Sequence, residues 1–301
     1  MKLSMPMLAW TVILLPAAAI AQTGAAAVTE QADKLASSGK RGEAIALYRQ
    51  AINQDPASVD AQIGIGRLLD LEGQYAEARQ HLQKAIEIAP EEDRNTALST
   101  MAQSYAFEGN AAEAAKYYQR IFDSQVEAGA LPGAAGTANA LGRVYLETGD
   151  LANAEKWYRA GYDTSGKLET RTPEDTDLWE MRWQHAQARI AARRKQFDAA
   201  RRHMKDVQTI IGRGRLDENQ RVQYPYLAGY VAFYEGKPDE AIAELSKASQ
   251  DDPFVVSLLA QAYEQKNDQA KARELWSRII GMSDHNLQMA FARPVAQRRL
   301  R

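Results

Sequence analysis

Arg182, His185, Arg189 and Arg193 lie three, four and four residues apart, so on a helix they share one face. Tyr226, Tyr230 and Phe233 follow at helical spacing of four and three. A row of cations beside a row of aromatic rings suits an extended peptide with acidic residues or a free C-terminal carboxylate, and equally an anionic glycan. Residues 182–221 carry eleven Lys or Arg against four Asp or Glu, a local excess of positive charge in a 301-residue chain whose net charge is −2. That near-neutral total argues against nucleic acid as the partner.

Catalysis has less to stand on. His81, His185, His203 and His285 fall in separate segments at no metal-ligand spacing. The absence of cysteine excludes thiol nucleophiles, disulfides and Cys-ligated metals. Gly64-Ile65-Gly66 and Gly212-Arg213-Gly214 lack the third glycine of a nucleotide fingerprint and read as close packing and loop. The pair Glu91-Glu92 reads as a solvated turn. No catalytic residue, metal site or cofactor is expected, and the chain is not expected to be an enzyme.

The elements that must carry the basic and aromatic rows emerge from comparing the chain with itself. Gly39, Gly73, Gly109, Gly149 and Gly236 each precede an alanine by five residues: Ala44, Ala78, Ala114, Ala154 and Ala241. Lys195 with Ala200 and Asn267 with Ala272 continue the series without the glycine. The glycine stands where a first helix must end left-handed, and the alanine lies on the packed face of a second helix. Ala51, Ala85 and Ala248 extend that face seven residues on, and Pro56, Pro90 and Pro253 bar its continuation. Small residues at Gly66, Ala102, Gly142, Gly229 and Ala260 let the first helix approach closely. Tyr48, Leu82, Tyr118, Tyr158, Leu245 and Trp276 are expected to fill the space toward the next unit.

These residues resemble the tetratricopeptide repeat over about residues 25–286. Leu141-Gly142, Tyr145, Ala154 and Tyr158 carry most of its signature in one unit; Gly229, Ala241, Leu245, Ala248 and Pro253 carry it in another. The tryptophan expected early in the first helix is absent. The resemblance implies an all-α, right-handed superhelical solenoid of seven hairpins, starting near 25, 59, 95, 135, 181, 222 and 253. Residues 287–301 read as a C-terminal capping helix. It further implies a concave groove lined by first helices, which places Asn139 and Arg143 beside Arg182, His185, Arg189 and Arg193. The positions of the lysine–asparagine carboxylate clamp used by one peptide-binding branch hold Asp33, Ile63, Ser99, Arg67 and Gln103 here, so that clamp is not reproduced.

The period lengthens at 129–134, 164–177 and 211–221. Thr172-Pro173-Glu174-Asp175 reads as a helix start, predicting a long helix over about 173–194 that packs Trp179 and Trp183 on the preceding unit. Residues 1–21 set Lys2 before an uncharged run from Met5 to Ile20 and the small-residue pattern Ala19-Ile20-Ala21. That order predicts an export signal cleaved after Ala21. The run is short against the roughly 20 residues of a bilayer span, and Pro16 interrupts it. A periplasmic or secreted scaffold that binds a protein or peptide in envelope assembly or secretion is the leading expectation. A carbohydrate-associated module, with Tyr226, Tyr230 and Trp179 stacking on sugar rings, and a self-assembling spacer are the alternatives.

Overall fold

The computed structural model describes the backbone of residues 17–301, with side chains from residue 24 except Glu92. Most of the leader expected at 1–21 lies outside the described residues; positions 17–21 are helical. Seven hairpins follow one another: α1 (Ala17–Ser37) with α2 (Arg41–Gln54), α3 (Val59–Leu71) with α4 (Tyr75–Ile88), and α5 (Glu91–Phe107) with α6 (Ala111–Glu127). Next come α7 (Leu131–Thr148) with α8 (Leu151–Ser165) and α9 (Pro173–Arg193) with α10 (Phe197–Gly212). After the single turn α11 (Glu218–Arg221), α12 (Gln223–Tyr234) pairs with α13 (Pro238–Leu245) and α14 (Pro253–Gln265) with α15 (Gln269–Gly281). The chain ends in α16 (Leu287–Leu300). The hairpins stack in sequence into a right-handed superhelix.

The turn chemistry explains each hairpin. Gly39, Gly73, Gly109, Gly149 and Gly236 all hold φ between 77 and 87°. Lys195 and Asn267 take the same left-handed conformation, at φ 59 and 65°. A side chain there costs about 1–2 kcal/mol for Lys195, less for asparagine, whose short polar side chain tolerates it. The alanines Ala78, Ala85, Ala154 and Ala241 are fully buried between helices.

Close approach needs the first-helix glycines. A Cβ on Gly66 would stand 2.8 Å from Leu82, on Gly142 2.9 Å from Tyr158, and on Gly229 2.5 Å from Leu245. These large residues seat on the glycine of their own hairpin and also face the next one: Tyr158 shares a core cluster with Ala186 and Ile190, and Leu82 with Leu98 and Met101. Tyr48 alone of this set meets a following unit's glycine, 2.5 Å from a Cβ on Gly64. Ala248 is buried but lies in a turn beyond α13, which stops at Leu245, so it does not extend the second helix as its register suggests.

Unit boundaries move where caps act. The first helices of hairpins three and four open at 91 and 131, ahead of the expected unit starts at 95 and 135, while α9 opens at 173 as the Thr172-Pro173 start predicts, ahead of the unit start at 181. Residues 131–134 are not an inserted loop; they lengthen α7. At α9 the Thr172 hydroxyl caps Asp175 N, and the Asp175 carboxylate returns to Thr172 N, closing a capping box with Pro173 at the first helical position. Trp183 packs on hairpin four, its ring 6.1 Å from that of Tyr162.

The superhelix closes on itself. Arg41 of α2 donates to the carbonyls of Ile280 and Met282 at the end of α15, at 3.5 and 2.7 Å. α16 packs on α14 and α15 as a cap would, and also reaches α5 on the opposite side of the ring. Met289, Ala290, Ala292, Arg293 and Ala296 are buried by this insertion. Arg293 Nε donates to Leu71 O and its Nη1 to Ile280 O, tying α16 to α3 and α15. One apolar core runs from Ala32 through α12 and α14 to Ala296 as a result.

Candidate concave chamber

A chamber of about 980 Å³ opens on the concave face. Its walls come from the first helices α5, α7, α9, α12 and α14, with Asn286, Leu287 and Gln288 of the C-terminal segment forming one side. Of the expected groove residues, Asn139, Arg143, Arg182, His185, Arg189 and Tyr226 line it. Arg193 and Tyr230 line a smaller cavity of about 200 Å³ behind it, closed by Phe291, Ala292 and Val295 of α16. Phe233 lines neither; it is half-buried against the main core, because it points away from the face that Tyr226 and Tyr230 share.

The arginines spend most of their donors inside the protein. Arg143 Nε donates to Glu147 at 2.7 Å, its Nη2 donates to Tyr226 Oη at 2.7 Å, and its guanidinium lies 3.6 Å over the Phe254 ring. Arg189 is 5% exposed and donates to Tyr158 Oη at 3.2 Å. Arg193 donates to Tyr234 Oη at 2.7 Å and to Leu146 O at 2.8 Å. Burial pushes Tyr226 and Tyr230 up in pKa, so both stay phenols; Tyr226 accepts from Arg143, while the Tyr230 hydroxyl is buried without a partner. The basic row thus clamps α7 and α9 to α8 and α12. Arg182 is different: it stacks 4.7 Å over Trp179, and no carboxylate among the described residues pairs with it.

The aromatic rings expected to offer a sugar platform are covered. Trp179, Tyr226 and Tyr230 are at most 7% exposed. His185 lies against the Tyr226 ring at 5.9 Å, and Tyr230 packs between Tyr226 and Tyr234. Among the described residues no group of acidic or histidine side chains is arranged to hold a metal ion. No described helix is long and apolar enough to cross a membrane.

Comparison with known proteins decides the family. Tetratricopeptide repeat patterns match residues 35–103, 93–165 and 226–286. The chain belongs to the tetratricopeptide-repeat family. Its fold is similar to a tetratricopeptide repeat protein from Parabacteroides merdae ATCC 43184, at 14% identity and TM-score 0.55, over 92% of this chain and 98% of that one. It is also similar to a putative kinesin light chain with nearly identical TPR-like repeats from Podosopora anserina (17%, TM-score 0.52, 64% and 97% covered). A third similar structure is PilW, described as a widely conserved type IV pilus biogenesis factor (13%, TM-score 0.51, 83% and 97% covered). No curated protein matches the sequence.

Tetratricopeptide repeats are scaffolds for protein–protein interaction, and the chamber of this chain is lined by Asn, Gln and Arg side chains of its first helices. The positions that replace the family's carboxylate clamp have structural partners here. Asp33 accepts from the Tyr48 hydroxyl, and Gln103 Oε1 meets His285 Nδ1. Sequence reasoning missed two features of the chamber. One is the docked segment from His285 to Gln288, of which only the part from residue 287 on was read, as a cap. The other is a set of amides, Asn95, Asn219 and Gln288 beside Asn139, for which the i, i+4 polar row Asn95-Ser99-Gln103 was the available signal.

Proposed function

We propose that this tetratricopeptide-repeat chain is an exported adaptor that holds a segment of a partner protein in its concave chamber, in envelope assembly or secretion. The chamber carries the reading. It is open, about 980 Å³, lined by five successive first helices, and edged by a cation, Arg182, that no carboxylate of the described residues neutralises. A cavity of that size with convergent polar groups is the form that binding sites take. The leader pattern at residues 1–21 supports export to the periplasm or beyond.

A photo-crosslinking amino acid at Asn139, inside the chamber, tests this against one at Gln119 on the outer face of α6. In the native host, Asn139 should yield an adduct to a defined envelope or secreted protein, mapped by mass spectrometry to one segment of it. Equal adducts at both positions, or none at Asn139, would remove the chamber as the binding face.

A further inference from the structure

The C-terminal segment divides the concave groove. On one side of it lies the chamber of about 980 Å³, with Asn286, Leu287 and Gln288 in its wall. On the other lies a cavity of about 360 Å³ against α1 and α3, with Ser283 and His285 in its wall. Thr96 of α5 lines both, so the two spaces meet where the segment crosses. A cap needs only the last hairpin. This segment reaches from α14 and α15 across to α3 and α5, setting His285 on Asp70 and Gln103, and Arg293 on the end of α3.

Its hold on that face is polar and thinly packed. Of the five buried residues of α16, three are alanine, whereas Leu287, Phe291, Val295 and Leu300 are only half-buried. An alanine removes little apolar surface from water. Pro294, inside the helix, takes away the N–H that would bond Ala290 O. Arg293 is 5% exposed and spends its hydrogen bonds on two carbonyls, Leu71 O and Ile280 O, with no carboxylate of the described residues paired to it.

Arg41 donates to the same Ile280 carbonyl at 3.5 Å, and its Nε is buried without a partner. Two guanidinium groups therefore converge on one oxygen, and the ion pair nearby is the loose one of Arg41 with Glu72 at 3.7 Å. Burial, together with the charge on Arg41, pushes the Arg293 guanidinium below its usual pKa. Like charges drawn out of water at this seam oppose closure, and release of α16 relieves them. The five residues Met282 to Asn286, between α15 and α16, are non-helical and supply the hinge.

We infer that residues 283–301 are an internal ligand of the concave groove: a displaceable helix that occupies the inner face of α3 and α5, keeps the groove split, and on release joins both spaces into one channel from α1 to α14. What can replace it is set by what holds it. A competing helix must present small residues on its buried face and an arginine that reaches the carbonyl ends of α3 and α15, where the helix dipoles favour a cation. This gating goes beyond the adaptor reading and does not rest on it.

Two measurements on the full chain test the gate, and neither involves the partner of the chamber. Native-state hydrogen exchange on the unmodified protein should show the amides from Ala290 to Arg299 exchanging in one cooperative step, at least about tenfold faster than those of α7. Fraying graded from the C-terminus, or exchange in step with α5 and α7, would overturn the gate. The second probe is a fluorescein-labelled synthetic peptide of residues 283–301. The tether holds the internal helix at an effective concentration of about millimolar, so the parent chain should bind the peptide weakly. Arg293→Ala, which loosens the internal helix, should bind it about tenfold or more tightly, and a peptide carrying the same substitution should not bind that variant. Equal affinity of parent and variant, with the variant folded by circular dichroism, would overturn the internal ligand. Should the variant not fold, the exchange pattern of the parent decides alone.

Discussion

His285 Nε2 lies 2.8 Å from Asp70 Oδ2, joining the loop before α16 to α3 across 215 positions of sequence. Both side chains are almost wholly buried, and Asp70 also accepts from Ser104 Oγ at 2.7 Å. The ring of His285 rests on Phe107 at 4.9 Å. Two hairpins and the C-terminal segment meet at this one carboxylate.

His285→Ala should destabilise the chain by about 1–3 kcal/mol, since it leaves Asp70 short of a buried partner. Chemical denaturation measures the loss. Small-angle scattering should show a larger radius of gyration for the variant if the closure depends on this contact, and an unchanged radius would assign the closure to α16 and the Arg41 contact.

Gly229→Ala should destabilise by about 1–3 kcal/mol through overpacking, because its Cβ would meet both the Leu245 side chain at 2.5 Å and the Leu245 backbone nitrogen at 3.1 Å. Gly136→Ala is the matched control. It lies inside α7 with nothing within 4 Å of its Cβ, and should stabilise by about 0.5–1 kcal/mol. Thermal unfolding of the two variants reads the difference in sign.

Lys195→Gly should raise stability by about 1 kcal/mol, by relieving a left-handed backbone that a lysine side chain resists. Asn267→Gly should gain less. Differential scanning calorimetry on the pair checks both the sign and the order.

The Asp177 carboxylate is inaccessible to solvent and accepts from Arg215 Nε at 2.6 Å and Arg213 Nη1 at 2.7 Å, pinning the segment after α10 onto α9. The bond from Arg215, against the opposing effect of burial and helped by Arg213, holds its pKa below 3.8. A carboxylate depressed in the folded state contributes stability that is complete above its unfolded pKa and lost as pH falls through the folded one. Asp177→Asn should therefore lower the melting temperature at pH 7 and flatten its decline below about pH 4. An acid limb as steep as that of the parent chain would remove Asp177 from the account.

The hairpins were legible because their signals are local. A left-handed residue at each turn and an alanine five positions on need only one unit to be read, and even Lys195 and Asn267 betray the turn by register. The long α9 was legible for the same reason, through Thr172 and Pro173. The site was legible only in part. Spacing put Arg182, His185, Arg189 and Arg193 on one face, but a helix face does not reveal what stands opposite it. The tyrosine hydroxyls and main-chain carbonyls that occupy Arg143, Arg189 and Arg193 come from 31 to 83 positions away. Closure was further out of reach, since Arg293 finds Leu71 only after every intervening hairpin has stacked.

An open solenoid grows or shrinks by whole repeats at little cost, because each unit answers only to its neighbours. The contact of Arg41 with the end of α15 removes that freedom. With the ends joined, the number of hairpins becomes a geometric constant: one more or one fewer would break the circumference. Duplication of a repeat, the usual route by which such proteins diversify, is therefore closed to this chain unless α16 is first released.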